Sequence, residues 1–112
     1  MPHFIIECSK NIIEIKTPDE IMQQVYNAAE ESNLFAEGDI KVRIKPYDFY
    51  NNGNQKADFI HIFGYILQGR TVEQKANLTK RIVERVEAMF ADVPIISMNI
   101  DDFEKETYCK HS

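Results

Sequence analysis

No apolar run in this sequence is long enough to cross a bilayer, so no helical membrane span is expected. Positive charge is short as well. Thirteen Lys and Arg face eighteen Asp and Glu, for a net charge of −5, and no long basic run exists to neutralise successive phosphates, which argues against nucleic acid as a partner. Any anion site must then come from a few focused cations. Cysteine is scarce: Cys8 and Cys109 stand at opposite ends, without metal-ligand spacing, and His3, His61 and His111 are scattered. Neither a metal site nor a disulfide framework is expected, and no cofactor motif is present. The first residues also lack the basic and long apolar segments of a secretory signal, so the expected setting is a reducing cytoplasm with free thiols.

What is present suits one small domain over residues 1–112, since 44% hydrophobic content supplies enough apolar surface for a single core. Phe4 to Cys8 reads as a short apolar strand. Thr17-Pro18-Asp19-Glu20 reads as a helix start, with Thr17 as cap, Pro18 in the first turn and Glu20 closing a capping box. The helix carries Ile21, Met22, Val25, Ala28 and Ala29 at helical spacing and should stop near Asn33 to Gly38. Asp39 to Lys45 alternates as a strand, with Ile40, Val42 and Ile44 on one face and Lys41, Arg43 and Lys45 on the other. Pro46 to Lys56 is a polar loop.

The second half repeats this plan. A strand over Phe59 to Leu67, a turn at Gly69, a helix from Thr71 to about Phe90 and a strand from Pro94 to Ile100 follow in order. Thr71 and Gln74 form another capping box, and Leu78, Ile82, Val83, Val86 and Met89 make the apolar stripe. Laying Phe4-Ile5-Ile6 over Phe59-Ile60-His61 relates the halves, about 1–55 and 56–112, by an offset of about 55 residues. The expected fold class is α+β: two fused β-α-β units, each right-handed with parallel strands, in a four-stranded sheet with both helices on one face.

That arrangement leaves a face uncovered. The strand Phe59 to Leu67 is apolar on both sides, and two helices cover only one, so a homo-oligomer whose sheets face one another is expected. The tail from Asp101 to Ser112 is the lesser candidate for a cover, being strongly polar with only Phe103 and Tyr108 to offer.

Three cations and a proline carry the chemistry. Pro2 leads directly into the first strand, and removal of Met1 would leave a secondary amine able to act as a base near neutral pH; with Met1 attached, that nitrogen is an amide without a basic lone pair. By position alone, Pro2 is equally a stiff, donor-free start to an edge strand. Arg70 sits between Gly69 and the capping Thr71, where free helix N–H groups and a guanidinium fork converge on an anion. Arg43 and Lys41 share the strand face opposite the helices. Judged singly, each cation is an ordinary solvated charge. Phe4, Phe59, Phe63 and Tyr65 are the aromatics available for an apolar wall, and His3 and His61 read as satisfied interface histidines.

These residues also carry a family resemblance. Leu67-Gln68-Gly69-Arg70-Thr71-Val72-Glu73-Gln74-Lys75, after a strand and opening a helix, resembles the 4-oxalocrotonate tautomerase pattern, with Pro2 similar to that superfamily's N-terminal proline. Pro2-His3-Phe4-Ile5-Ile6-Glu7-Cys8-Ser9 with Asn11-Ile12 resembles the 5-carboxymethyl-2-hydroxymuconate isomerase family more specifically. The resemblance implies a homotrimer with one site per chain, and cofactor-independent enol-to-keto proton shuttling by Pro2 on a dicarboxylate or tricarboxylate dienol. It implies a carboxylate grip by Arg70 and by a second cation for which Arg43 and Lys41 fit different alignments; a lysine there would replace a bidentate grip with a point charge. Other tautomerase-type activities (phenylpyruvate tautomerase, decarboxylase, dehalogenase) and a non-catalytic ferredoxin-like anion-binding module share the same pattern.

Overall fold

Two threonine caps start the two long helices of the computed structural model, which describes residues 1–111. Thr17 Oγ1 accepts the Glu20 N–H at 3.2 Å and opens α2, Pro18–Glu31, with Pro18 in its first turn. The expected reciprocal half from Glu20 does not form. Thr71 opens α3, Val72–Met89, with both halves of the box in place: Gln74 N–H to Thr71 Oγ1 at 3.1 Å and Thr71 N–H to Gln74 Oε1 at 2.9 Å. A one-turn helix not foreseen from the sequence, α1 at Ile12–Ile15, precedes α2 and anchors itself by the fully buried Ile12.

The strands are β1, His3–Ser9; β2, Lys41–Tyr47; β3, Phe59–Leu67; and β4, Ile95–Phe103. They lie in the order β2-β1-β3-β4, with β1 parallel to β2, β3 parallel to β4, and β1 antiparallel to β3. Both long helices cover one face. Ile21, Val25, Ala28 and Ala29 of α2 and Leu78, Ile82 and Val86 of α3 bury against Phe4, Ile6, Ile60 and Ile62. Arg85 ties the helices together on the outside through Gln24 at 3.1 Å and Glu31 at 2.6 Å.

Register corrects the overlay of the two halves by one residue. Phe4, Ile6 and Cys8 point to the helices on β1, whereas Ile60, Ile62, Gly64 and Ile66 do so on β3, so Phe4 corresponds in role to Ile60 and not to Phe59. Phe59 faces away. Opposite Phe4 stands Gly64, where an added Cβ would lie 3.1 Å from Ile100 Cγ1 and Met98 Cε. The same Cβ would lie 3.3 Å from Phe4 Cε1, so the absence of a side chain at Gly64 makes room for the Phe4 ring.

β2 runs two residues past its expected end, through Pro46, which sits opposite Cys8. β2 is an outer strand, and since Lys41 N–H points inward to the Pro2 carbonyl at 3.1 Å, alternation sends the Pro46 nitrogen outward, where no donor is needed. β4 likewise continues beyond Ile100, through Asp101 and Asp102 to Phe103.

The second sheet face presents Ile5, Phe63, Tyr65, Leu67 and Ile95, all half-buried, with Arg43 and Lys45 exposed. One end of it is covered by the tail. After a 3₁₀ turn at Lys105–Thr107, Tyr108 stacks on Phe103 at 4.6 Å and meets His3 edge-on at 6.1 Å. The tail thus does part of the covering assigned to an oligomer, at the end where the chain begins. Among the described residues, no helix is long and apolar enough to cross a membrane.

Candidate active site

Pro2 is fully buried at the entrance to β1, held by the bond from Lys41 N–H to its carbonyl. A residue without an N–H loses nothing by starting a strand. Ahead of it, the Met1 amine lies in a cleft of about 560 Å³ whose walls include Leu67, Arg70 and Asp39. Burial holds this amine below its usual 8.0; Asp39 pulls upward, while Arg70, Lys41 and Lys110 add to the lowering. The direction is that expected for a desolvated amine among cations.

Arg70 is aimed by its neighbours. Gly69, at φ 120°, makes a turn that a side chain would strain, and Thr71 fixes the start of α3 immediately after. The guanidinium donates from Nη2 to Leu34 O at 2.5 Å and from Nη1 to Leu67 O at 3.5 Å, and lies over the Phe35 ring at 5.1 Å. Carbonyls position it and do not neutralise it. The remaining N–H groups of the fork stay available to an anion.

Lys41 and Arg43 part company in space. Lys41 stands opposite His3, donates Nζ–H to Asp39 O at 2.9 Å, and acts on the amino-terminal charge. Arg43, opposite Ile5, lines a second cleft of about 390 Å³ with His3, Tyr65, Phe103 and Tyr108. Tyr108 belongs to both clefts. Arg43 also bears on His3, whose pKa is lowered from 6.5 first by burial and then by Arg43, Lys41 and the amino terminus. His3 Nε2 lies 3.1 Å from the Tyr108 hydroxyl, while its buried Nδ1 has no partner.

Lys10, Lys75, Arg81 and Arg85 each pair with a carboxylate, whereas among the described residues the other nine Lys and Arg, Lys41, Arg43, Arg70, Lys105 and Lys110 included, form no ion pair. Lys105 and Lys110 come from the tail and line the amine cleft. A groove of similar size along α3, about 550 Å³, is lined by Lys80, Arg81, Glu84 and Arg85 and carries both signs. In an acidic chain, Arg70, Lys105 and Lys110 around one cleft outnumber its Asp39 carboxylate and suit it to a small anion.

The apolar wall differs from the one expected. Phe4 packs in the core, edge-on to Phe35 at 6.1 Å; Phe59 lies at the far end of β3 against Tyr50 at 5.2 Å; Phe63 sits mid-sheet against His61 at 4.5 Å. Phe35, Leu67, Phe103 and Tyr108 take the role instead, with Tyr65 in the Arg43 cleft. His61 is satisfied on both nitrogens, by Ser97 at 2.7 Å and Asn99 at 2.6 Å. Sequence reading missed Asp39, Lys105, Tyr108 and Lys110. The one available signal was two aromatics and two lysines in an otherwise polar tail.

Comparison with known proteins was made against this geometry. The sequence model of the 5-carboxymethyl-2-hydroxymuconate isomerase family matches residues 2–112. The 5-carboxymethyl-2-hydroxymuconate Delta-isomerase of Escherichia coli is 27% identical over 93 residues, 81% of this chain and 74% of that protein. A crystal structure of a 5-carboxymethyl-2-hydroxymuconate isomerase from Deinococcus radiodurans R1 superposes with a TM-score of 0.76 at 23% identity, over 98% of this chain and 88% of that one. A fused 4-OT solved as a symmetric trimer gives a TM-score of 0.77 at 20% identity, over 93% and 88%. At these identities the two structures speak for a shared fold.

Proposed function

The chain belongs to the 5-carboxymethyl-2-hydroxymuconate isomerase family, and from that premise we propose that it is a cofactor-independent isomerase of 2-hydroxy-dienoates, working through Pro2 once Met1 is removed. The observation that carries this reading is the partly buried amino terminus, where Arg70, Lys41 and Lys110 together oppose Asp39. Loss of Met1 turns the Pro2 amide into a secondary amine one residue along the chain from that cleft, at the entrance to β1. The influences that lower the Met1 amine would act there too, leaving a fraction unprotonated and basic near neutral pH.

In the proposed reaction the Pro2 nitrogen takes the proton of the 2-hydroxyl group. As the O–H bond breaks, its electrons form the 2-oxo C=O bond and the double bond shifts along the chain. The far carbon of the dienol then takes the proton back from the prolinium, forming a C–H bond and restoring the amine. Arg70 holds one carboxylate and steadies the charge that develops on oxygen, a contribution of a few kcal/mol in comparable sites. Lys41 or Arg43 meets the second carboxylate, Lys41 from beside the amine and Arg43 from the adjoining cleft. The half-buried apolar sheet face supports assembly as a homotrimer, the state named for the fused 4-OT relative.

The test is ultraviolet assay of the verified Met1-free chain on 2-hydroxymuconate and its 5-carboxymethyl derivative. Turnover should fall by about 100-fold or more in Pro2→Ala, the usual scale for losing a general base. Since the influences that lower the Met1 amine act on the Pro2 amine as well, kcat/KM should rise with pH through a midpoint below the ordinary value of that amine and level off. Full activity in Pro2→Ala would end the proline mechanism, and a wild-type chain inert on both substrates would leave a different tautomerase-type substrate or an anion-binding scaffold.

A further inference from the structure

Building on that reading, we propose that Tyr108 is a substrate-contacting residue: its phenol O–H donates to an anionic oxygen of the bound dicarboxylate, and His3 is the positioning residue that turns it there. Tyr108 is the residue common to the amine cleft and the Arg43 cleft, so a ligand reaching from one to the other meets its side chain. The ring is well fastened. It stacks on Phe103 at 4.6 Å, its backbone N–H closes the 3₁₀ turn to Lys105 O at 3.3 Å, and Lys105 N–H is tied to Gln68 Oε1 at 3.1 Å.

The direction of the phenol proton follows from the His3 ring. A neutral imidazole carries a single N–H, and Nδ1 is buried without a partner, while Nε2 faces the Tyr108 hydroxyl at 3.1 Å. A buried orphan donor is rarer and costlier than a buried orphan lone pair, which places the hydrogen on Nε2. Nε2–H therefore donates to Tyr108 Oη, and the phenol hydrogen is released to another acceptor. Arg43, Arg70, Lys105 and Lys110, which share the two clefts with Tyr108, are donors, and the two side chains there that could accept, Asp39 and Tyr65, make no hydrogen bond to its hydroxyl. That hydrogen is free for an acceptor on a ligand, and a hydroxyl already accepting one hydrogen bond donates a stronger second one.

Tyr108→Phe keeps the stacked ring and removes the hydroxyl with its bond from His3, so the chain should stay folded, its thermal midpoint lowered only by the loss of that one bond. On 2-hydroxymuconate its KM should rise about tenfold or more, the scale of a hydrogen bond to a charged group, with kcat within about twofold. His3→Leu should reproduce that change, and His3→Gln, which returns an N–H near the Nε2 position, should recover most of it. A wild-type KM in Tyr108→Phe, or in His3→Leu, overturns the proposal. Should the wild-type chain prove inert, the isomerase reading fails separately and calorimetric titration with cis,cis-muconate decides the matter. Weakening of about tenfold in Tyr108→Phe supports the contact, and equal affinity, or no binding to wild type, refutes it.

Discussion

Cys8 and Cys109 differ by environment alone. Burial pushes the Cys8 thiol up to about 11, while Cys109 stands exposed in the tail. A thiol-exchange reagent at pH 8 should therefore titrate one group per folded chain, and two after denaturation. Rapid reaction of both in the folded state would mean that β1 opens. His3 gives a pH dependence of definite sign. Its folded pKa lies below 6.5, so under acid the unfolded chain binds a proton that the folded chain refuses, and stability falls as pH drops through 6.5 toward the folded value. The urea midpoint should fall between pH 7 and 5, less steeply in His3→Gln; equal slopes would assign the acid loss elsewhere. Of the site itself, Pro2 and Arg70 were legible because each is marked by its immediate neighbours, one by the strand it opens and the other by Gly69 and Thr71. Tyr108 was not, since its contact with His3 joins residues 105 apart and no local pattern announces it.

At the scale of elements, caps and periodicity specified the two β-α-β units because those signals act within a turn or two of chain. Strand facing was harder. β3 is apolar on both sides, so alternation could not say which side met the helices, and the overlay of the two halves slipped by one residue. Gly64 is where the true facing leaves its mark, because the contacts of an added Cβ with Ile100, Met98 and Phe4 at 3.1 to 3.3 Å are too close for the core to ignore. Gly64→Ala should lower stability by about 1–3 kcal/mol in urea unfolding, the range for overpacking. A neutral result would mean that Phe4 and Met98 move aside freely. The ends of β2 and β4 were missed for a related reason: Pro46 and the Asp101-Asp102 pair are poor strand formers, tolerated because both strands are outermost.

For the whole molecule, the open sheet face sets the state of assembly. Phe63 lies at its centre, opposite Ile5 and half-buried in the isolated chain. Phe63→Lys should convert the proposed trimer to monomer in sedimentation velocity without unfolding it, since the side chain lies outside the helix-covered core. A wild-type monomer would remove the trimer from the proposal. The two ends of the chain also meet: Lys110 Nζ lies 3.4 Å from Met1 Sδ, at the mouth of the amine cleft. β1 runs away from that point for about 20 Å, the length of a seven-residue strand, to Ser9, whose hydroxyl bonds Asp58 at 3.0 Å beside the exposed loop at Asn51 to Gln55. An affinity tag at either terminus would therefore plug the cleft or pry at its tail, and one at the amino end would also keep Pro2 acylated. The loop at Gly53 is where a purification handle belongs on this protein.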